Sequence, residues 1–388
     1  MTEALLLKAE ETLRFILDSG DVQKSLQLCE ADLNEQLLIL VNRNKQASQA
    51  NGSAELTQVF SSLARYIEQV IALRTATASA RATDSADKTP RVIYINNTTH
   101  CNAKCTMCPT KYSTRSVQVM SMELFKKIIT EIVPFKDSIT NLYIGLHGEP
   151  FVDRQLEERV ELCFAHGFRN VILTTNGSLV TEERARRLLA AGLSGIHFSL
   201  ESMRPEVYEA IRVGLSHEVV VKNILNFIQL RDRLGAATAV WIRFIESDAN
   251  TDEAESFLNF WKSKLNPHLD YAQRCDMHDW ALGTPESTHP DLLAGDSPCV
   301  HVMEQTSIHC DGTMGLCCLD YNAEYELGNV SEHTFLEAYN SEKFKAIRLM
   351  HKTRQRSRLR RCCNCSLPEY WGGDKRYNGI VKKFVAAR

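Results

Sequence analysis

Hydrophobic residues in the first eighty positions recur at helical spacing with almost no turn signals between them. Leu5, Leu6, Ala9, Leu13, Ile16 and Leu17 form one stripe. Leu26, Leu28, Leu33, Leu37, Leu38 and Leu40 form a second, and Val59, Phe60, Leu63, Tyr66, Ile67 and Val70 a third, with Asn51-Gly52-Ser53 breaking the second from the third. The spacing predicts a helical N-terminal domain over residues 1–80. Residues 77–90 are small, polar and aperiodic and read as a tether, with the linker proper at 81–90. From Arg91 the pattern changes to strand alternating with helix, the sign of a parallel α/β sheet. Strand-like runs fall at 92–96, 141–146, 170–174, 195–200, 237–245 and 269–274, and amphipathic runs at 122–133, 155–166, 182–191, 219–234 and 252–265. Six β/α units in about 180 residues predict an α/β fold with a partial (β/α)6 TIM-like barrel over 91–284, because a full eight-unit barrel takes ~250 residues. Beyond residue 285 the β/α rhythm is lost. Residues 285–388 read as a separate small domain.

Composition narrows the class. Hydrophobic content of 44% and charged content of 24% in 388 residues suit a globular protein large enough for two or three domains. A net charge of −3 argues against a general nucleic-acid or membrane-surface binder. No apolar run reaches the length of a membrane span, and the first residues, MTEALLLKAEETLRFIL, carry acidic side chains and no small-residue cleavage site. A cytoplasmic protein is therefore expected. In that reducing compartment its thirteen cysteines, seven of them after residue 285, read as metal or cluster ligands rather than disulfides.

Three of the cysteines carry the strongest signal. Cys101, Cys105 and Cys108 stand at C-x3-C-x2-C spacing directly after the first strand-like run. Three thiolates can hold three irons of a [4Fe–4S] cubane and leave the fourth without a protein ligand, which makes a centre for chemistry rather than a closed electron relay. Zinc is the competing reading of clustered cysteines. In parallel α/β barrels the chemistry gathers at the carboxyl ends of strands, and the triad follows strand one. One unit later, strand two ends in Gly145-Leu146-His147-Gly148-Glu149-Pro150. Strand three ends in Thr174-Thr175-Asn176-Gly177 and strand four in Ser199-Leu200-Glu201-Ser202, with Ser199 and Glu201 two apart and so on one face. Ser202 reads equally well as a helix N-cap. Strand five carries Arg243 among apolar neighbours, where pairing with a carboxylate of a ligand competes with a structural salt bridge.

Together these segments resemble the radical SAM enzymes, whose core is a six-unit partial barrel. The resemblance implies that Cys101, Cys105 and Cys108 hold a [4Fe–4S] cluster and that S-adenosylmethionine (SAM) chelates the open iron. It also implies that Gly148, Glu149 and Pro150 form the turn that holds the SAM ammonium. Asn176, Ser199 and Glu201 would meet its methionyl group and ribose, and Arg243 its carboxylate. Two departures from the family pattern stand here: Met107 where an aromatic residue is frequent, and His147 in place of the first glycine of a GGEP-like turn.

The C-terminal cysteines run Cys299, Cys310, Cys317-Cys318 and Cys362-Cys363-Asn364-Cys365, with a hairpin turn signal at Asp311-Gly312. This order resembles the SPASM or shorter twitch extension of radical SAM enzymes. Mapped by order, Cys299, Cys317, Cys362 and Cys365 would ligate one auxiliary [4Fe–4S] cluster, with Cys318 and Cys363 able to exchange roles with their neighbours. Zinc in a four-cysteine site is again the competitor. Residues 352–361 hold six basic side chains in ten, which read as a solvated stretch or as an anion-recognising one.

The resemblance implies an enzyme that cleaves SAM to a 5′-deoxyadenosyl radical. The C-terminal spacing is most similar to dehydrogenases and epimerases acting on sugars and aminocyclitols in natural-product pathways. Its partners would be a small-molecule substrate and a low-potential electron donor such as flavodoxin or ferredoxin. An epimerase would need a hydrogen-atom donor, for which Cys275 is the candidate, although a free cysteine is more often a packing residue. A maturase of ribosomal precursor peptides is the second reading, and a two-cluster electron carrier the third. A homodimer through the N-terminal helices is compatible with their leucine stripes.

Overall fold

The computed structural model describes residues 3–19, 25, 26, 28–83, 87–277, 298–363 and 365. The chain divides into two compact units. The first comprises residues 1–86, 292–298 and 345–364, the second residues 87–291, 299–344 and 365–388.

In the first unit, helices Glu3–Asp18, Glu35–Ala50 and Ala54–Thr83 bury the predicted stripes against one another. Ala9, Leu13 and Ile16 meet Leu33, Leu37 and Val41, with Leu63, Ile67 and Val70 closing the core. Asn34 starts the second helix by accepting from the backbone N–H groups of Gln36 and Leu37, both at 3.1 Å. The long third helix runs through Thr83, so residues 77–83 are helical rather than a tether. Small residues here pack instead of loosening the chain: Ala76 and Ala80 are buried. The backbone N–H of Arg360 donates to Gln69 Oε1 at 2.8 Å and ties the later segment to this helix. No described helix is long and apolar enough to cross a membrane.

The second unit is built on an open eight-stranded sheet ordered β6-β5-β4-β3-β2-β1-β7-β8. The strands are β1 (Val92–Ile95), β2 (Asn141–Ile144), β3 (Val171–Thr175), β4 (Gly195–Ser199), β5 (Ala239–Glu246), β6 (Tyr271–Asp276), β7 (Gln305–Ile308) and β8 (Met314–Gly315). The first six are parallel and joined through helices, the partial TIM-like barrel expected from the sequence. A helix at Pro205–Ile211, which the sequence reading left out, opens the connection after β4.

The predicted hairpin forms at Asp311-Gly312, with Gly312 at φ +87° and β7 antiparallel to β8. It is not a separate body, however. β7 lies parallel to β1 in register Tyr94↔Ser307, so the hairpin extends the barrel sheet on the side opposite β2.

The pleat gives the sheet two different faces. Ile93, Ile95, Leu142, Ile144, Leu173, Ile196, Phe198, Val240, Ile242 and Phe244 are buried on one face. They pack on the helices, as Phe198 against Phe227 at 5.7 Å and Phe244 against Phe257 at 4.8 Å show. The alternate positions line the inside of the arc and carry a run of aromatic side chains. Tyr94 stacks on Tyr143 at 4.6 Å, Tyr143 meets His197 at 5.8 Å, His197 meets Trp241 at 4.2 Å, and Trp241 meets Tyr271 at 4.8 Å.

Candidate active site

The triad loop leaves β1 and is pinned from both sides by main-chain hydrogen bonds. The N–H of Glu149 donates to the His100 carbonyl at 2.9 Å, that of Lys104 to Val213 at 2.8 Å, and that of Thr106 to Ile211 at 3.0 Å. Cys101, Cys105 and Cys108 are each half-buried. Burial pushes the Cys101 thiol up to about 11, and the neighbouring Glu149, Cys105 and Cys108 add to the rise. Burial also raises Cys105, against the pull of Arg212. Among the described residues, no three or more His, Cys, Asp or Glu side chains form a group that could hold one metal ion.

Gly148 and Glu149 build the floor of this loop. Gly148 adopts φ +134°, and a Cβ on it would come 2.3 Å from the Thr98 carbonyl oxygen, so the close approach needs glycine. Glu149 is fully buried and its oxygens accept three hydrogen bonds: from Thr175 Oγ1 at 2.6 Å, the Asn176 N–H at 2.8 Å and the Phe151 N–H at 3.1 Å. Its carboxylate braces the ends of β2 and β3, because the main-chain donors after both strands point at it. Pro150 follows as the first residue of a short 3-10 turn. Asn176 is drawn to the triad loop through its Nδ2, which donates to Asn102 Oδ1 at 3.0 Å. Below the turn, Asp153 accepts from Arg159 Nε at 2.6 Å and from Asn97 Nδ2 at 3.1 Å, which locks β1, the turn and helix Leu156–Ala165 together.

Glu201 is fully buried and forms a fork-to-fork pair with Arg212, at 2.6 and 2.5 Å. The carboxylate so engaged holds Arg212 in place. Arg212 Nη1 in turn lies 3.4 Å from Cys105 Sγ. The sequence reading missed Arg212. Its only signal is a lone arginine after an amphipathic segment, eleven positions from its partner.

Arg243, the candidate partner for the carboxylate of SAM, pairs in register with Ser199, two residues before Glu201. Its electrostatic neighbours are His197, which it helps hold neutral after burial has done most of that work, and Cys318. Ser199 is buried on the same face. Cys275 pairs with Ile245 at the carboxyl end of β6, again on the inner face, and is half-buried.

Cys317 and Cys318 border the arc at β7. Ser307 Oγ donates to the Cys317 carbonyl at 3.2 Å, and His309 Nε2 lies 3.2 Å from the Asp320 carbonyl, so segment 316–321 covers the inner face of β7. Cys317, Cys318 and Cys365 pack around Leu319. Burial pushes the Cys318 thiol up to about 12, with Cys299 as the next contributor. Cys362 is buried in the other unit, where its N–H donates to the Leu359 carbonyl at 2.9 Å.

Comparison with known proteins decides the family. A profile of the radical SAM superfamily matches residues 95–240. A profile of the SPASM iron–sulfur cluster-binding domain matches residues 299–366. The chain belongs to the radical SAM superfamily and carries a SPASM domain. Among curated relatives, a probable GTP 3′,8-cyclase of Methanococcus maripaludis is 28% identical over 171 residues, 44% of this chain and 54% of that one. A cofactor-modifying protein for tungsten-containing aldehyde ferredoxin oxidoreductase from Pyrococcus furiosus is 26% identical over 146 residues, 37% of this chain and 40% of that one. The chain thus spans about half the length of the curated relatives it matches. Among solved structures, BtrN in complex with AdoMet and 2-DOIA aligns at TM-score 0.50 and 18% identity, covering 72% of this chain and 94% of its own. Streptococcus suis SuiB bound to precursor peptide SuiA aligns at 0.54 and 12%, covering 88% and 83%. At these identities the structures show a shared fold.

Membership brings SAM and a [4Fe–4S] cluster to the barrel of this radical SAM enzyme, and auxiliary iron–sulfur to its SPASM domain. The donor sets fit. The triad supplies three mutually neighbouring thiols with a guanidinium beside one of them, and the SPASM segment supplies thiols packed on an apolar floor.

Proposed function

We propose that this radical SAM enzyme is an oxidoreductase that removes a carbinol hydrogen from a sugar or aminocyclitol-like metabolite in natural-product biosynthesis. Cys101, Cys105 and Cys108 hold the SAM-binding cluster. Cys299, Cys362 and Cys365 hold an auxiliary cluster with Cys317 or its neighbour Cys318. The bound cofactors supply a 5′-deoxyadenosyl radical that takes the carbinol hydrogen atom and, at the auxiliary cluster, an acceptor for the electron left on carbon, with the hydroxyl proton lost to give a ketone. The chain's residues shape that chemistry. Gly148 lets the backbone close on the triad loop, and Glu201 holds Arg212 against Cys105, where its charge offsets a thiolate and faces the carboxylate of a bound ligand. The walls of the arc keep water from the reacting carbon. An external low-potential donor such as flavodoxin or ferredoxin supplies the electron that starts each turnover.

The observation that carries this reading is the placement of segment 316–321 on the inner face of β7, with Cys318 within electrostatic reach of Arg243 of β5. The second sulfur set then borders the interior over which the triad loop sits, where an electron acceptor serves oxidation. The test uses anaerobically reconstituted enzyme with SAM, a flavodoxin reducing system and a panel of sugars and aminocyclitols deuterated at their carbinol carbons. Deuterium in 5′-deoxyadenosine with one ketone formed per turnover is expected. Solvent deuterium at an inverted carbon, abolished by Cys275→Ala, would make the enzyme an epimerase.

Peptide maturation stands as the second reading because the peptide-bound SuiB structure aligns over 88% of this chain. Against it, the described residues of 1–80 are helical and contain no strand, whereas the usual precursor-recognition unit is a winged-helix-like α/β unit. Tight binding of an acidic leader peptide, with no hydrogen transfer from any small polyol, would replace the first reading by this one.

A further inference from the structure

The inner face of β4, β5 and β6 carries polar atoms that fold stability does not explain. Arg243 pairs in register with Ser199 on one side and Gln273 on the other. One rung lower, His197 pairs with Trp241, and their rings meet edge to face at 4.2 Å. Arg243 Nε, Trp241 Nε1 and Gln273 Oε1 are all closed off from solvent and have no hydrogen-bond partner among the described residues. Buried groups of this kind are normally satisfied. Three on neighbouring positions of one concave face form a recognition set awaiting an occupant.

We infer that Trp241, Arg243 and Gln273 form a hydroxyl-recognition subsite that selects a hydroxylated ring as substrate. The donor inventory points there. Arg243 Nε–H and Trp241 Nε1–H donate, and Gln273 Oε1 accepts, so the complementary group must both accept and donate. A hydroxyl does both. A carboxylate accepts but has no proton for Gln273, and an apolar peptide side chain does neither. The His197 and Trp241 rings beside these atoms offer apolar surface for the C–H face of such a ring. Arg243 also neighbours Cys318, so a hydroxyl held by Arg243 lies on the side of the arc where the auxiliary cysteines stand.

This inference rests on the oxidoreductase reading for the identity of the substrate, but its test is binding alone, so the two fail separately. The SAM-loaded, fully reconstituted enzyme is titrated calorimetrically with myo-inositol, D-glucose and cyclohexanecarboxylate. At least one of the two polyols should bind, and the carboxylate should bind more weakly. Trp241→Phe and Gln273→Met should each weaken polyol binding about tenfold. Unchanged iron content and thermal unfolding in both variants report that the site still folds. Failure of both polyols to bind, preference for the carboxylate, or affinities unchanged in Trp241→Phe and Gln273→Met would each overturn the subsite. Polyol binding that responds to these substitutions without any hydrogen transfer would leave the subsite standing and remove the oxidoreductase reading.

Discussion

The two sulfur-bearing regions are built in opposite ways. Cys101, Cys105 and Cys108 come from one loop, whose path is fixed by backbone hydrogen bonds to Glu149, Val213 and Ile211. The later cysteines come from three separate segments, at positions 299, 317–318 and 362–365, far apart in the chain. A contiguous loop carries its donor set as a unit, so spacing alone reveals it. A distributed set exists only once the tertiary structure has formed, and its members are known by their neighbours: Cys318, for instance, stands within electrostatic reach of Cys299 and Arg243.

That contrast makes the effects of substitution unequal. Cys105→Ser should remove SAM cleavage altogether while leaving the auxiliary iron bound. Replacing Cys317 and Cys318 one at a time should leave SAM cleavage in place and lower the iron content in only one case. Iron analysis and 5′-deoxyadenosine assay of the three variants check this, and equal iron loss in both SPASM variants would break the distinction between the neighbours. Next in size is the floor of the loop. Gly148→Ala forces a Cβ against the Thr98 carbonyl at positive φ and should cost about 3 kcal/mol in denaturant unfolding. A loss below about 0.5 kcal/mol would mean that the turn is not held as tightly as the geometry requires.

The smallest effect lies at the β7 side, where His147 stacks on His309 at 5.9 Å. Burial, with help from Arg115, holds His147 down at about 3, against about 6.5 in an unfolded chain. Between those values the unfolded chain binds a proton that the folded one does not. Stability is therefore complete above about pH 6.5 and falls as the pH drops toward 3, by about 1.4 kcal/mol per unit for this one group. His147→Gln should flatten the slope of stability between pH 6 and 4.5 by that amount, measured by chemical denaturation. An unchanged slope would show that His147 is protonated in the fold.

How much of this was legible beforehand follows from what each feature depends on. The six barrel strands read correctly to within two residues because alternation and flanking turns are local properties. The run expected at 195–200, for instance, is Gly195–Ser199. The triad and the Gly148 turn were legible for the same reason. The helical state of 77–83 was not, since small residues look like linker until a packing surface exists for Ala76 and Ala80. Nor was the pairing of β7 with β1, a crossover between strands more than two hundred residues apart. The protein neighbours of Glu149 and Glu201 were not legible either: their oxygens are engaged by Thr175, Asn176, Phe151 and Arg212, and only tertiary structure brings most of these partners to them.

The central claim is that two sulfur sets of different construction serve one interior and only the triad takes SAM. The most direct test is electron paramagnetic resonance of the reduced, reconstituted protein and of its Cys101→Ala/Cys105→Ala/Cys108→Ala variant, each with and without SAM. In the intact protein SAM should change part of the iron–sulfur signal. The triple variant should keep a cluster signal that SAM leaves unaltered. A SAM-responsive signal in the triple variant, or no cluster signal at all in it, would contradict the account.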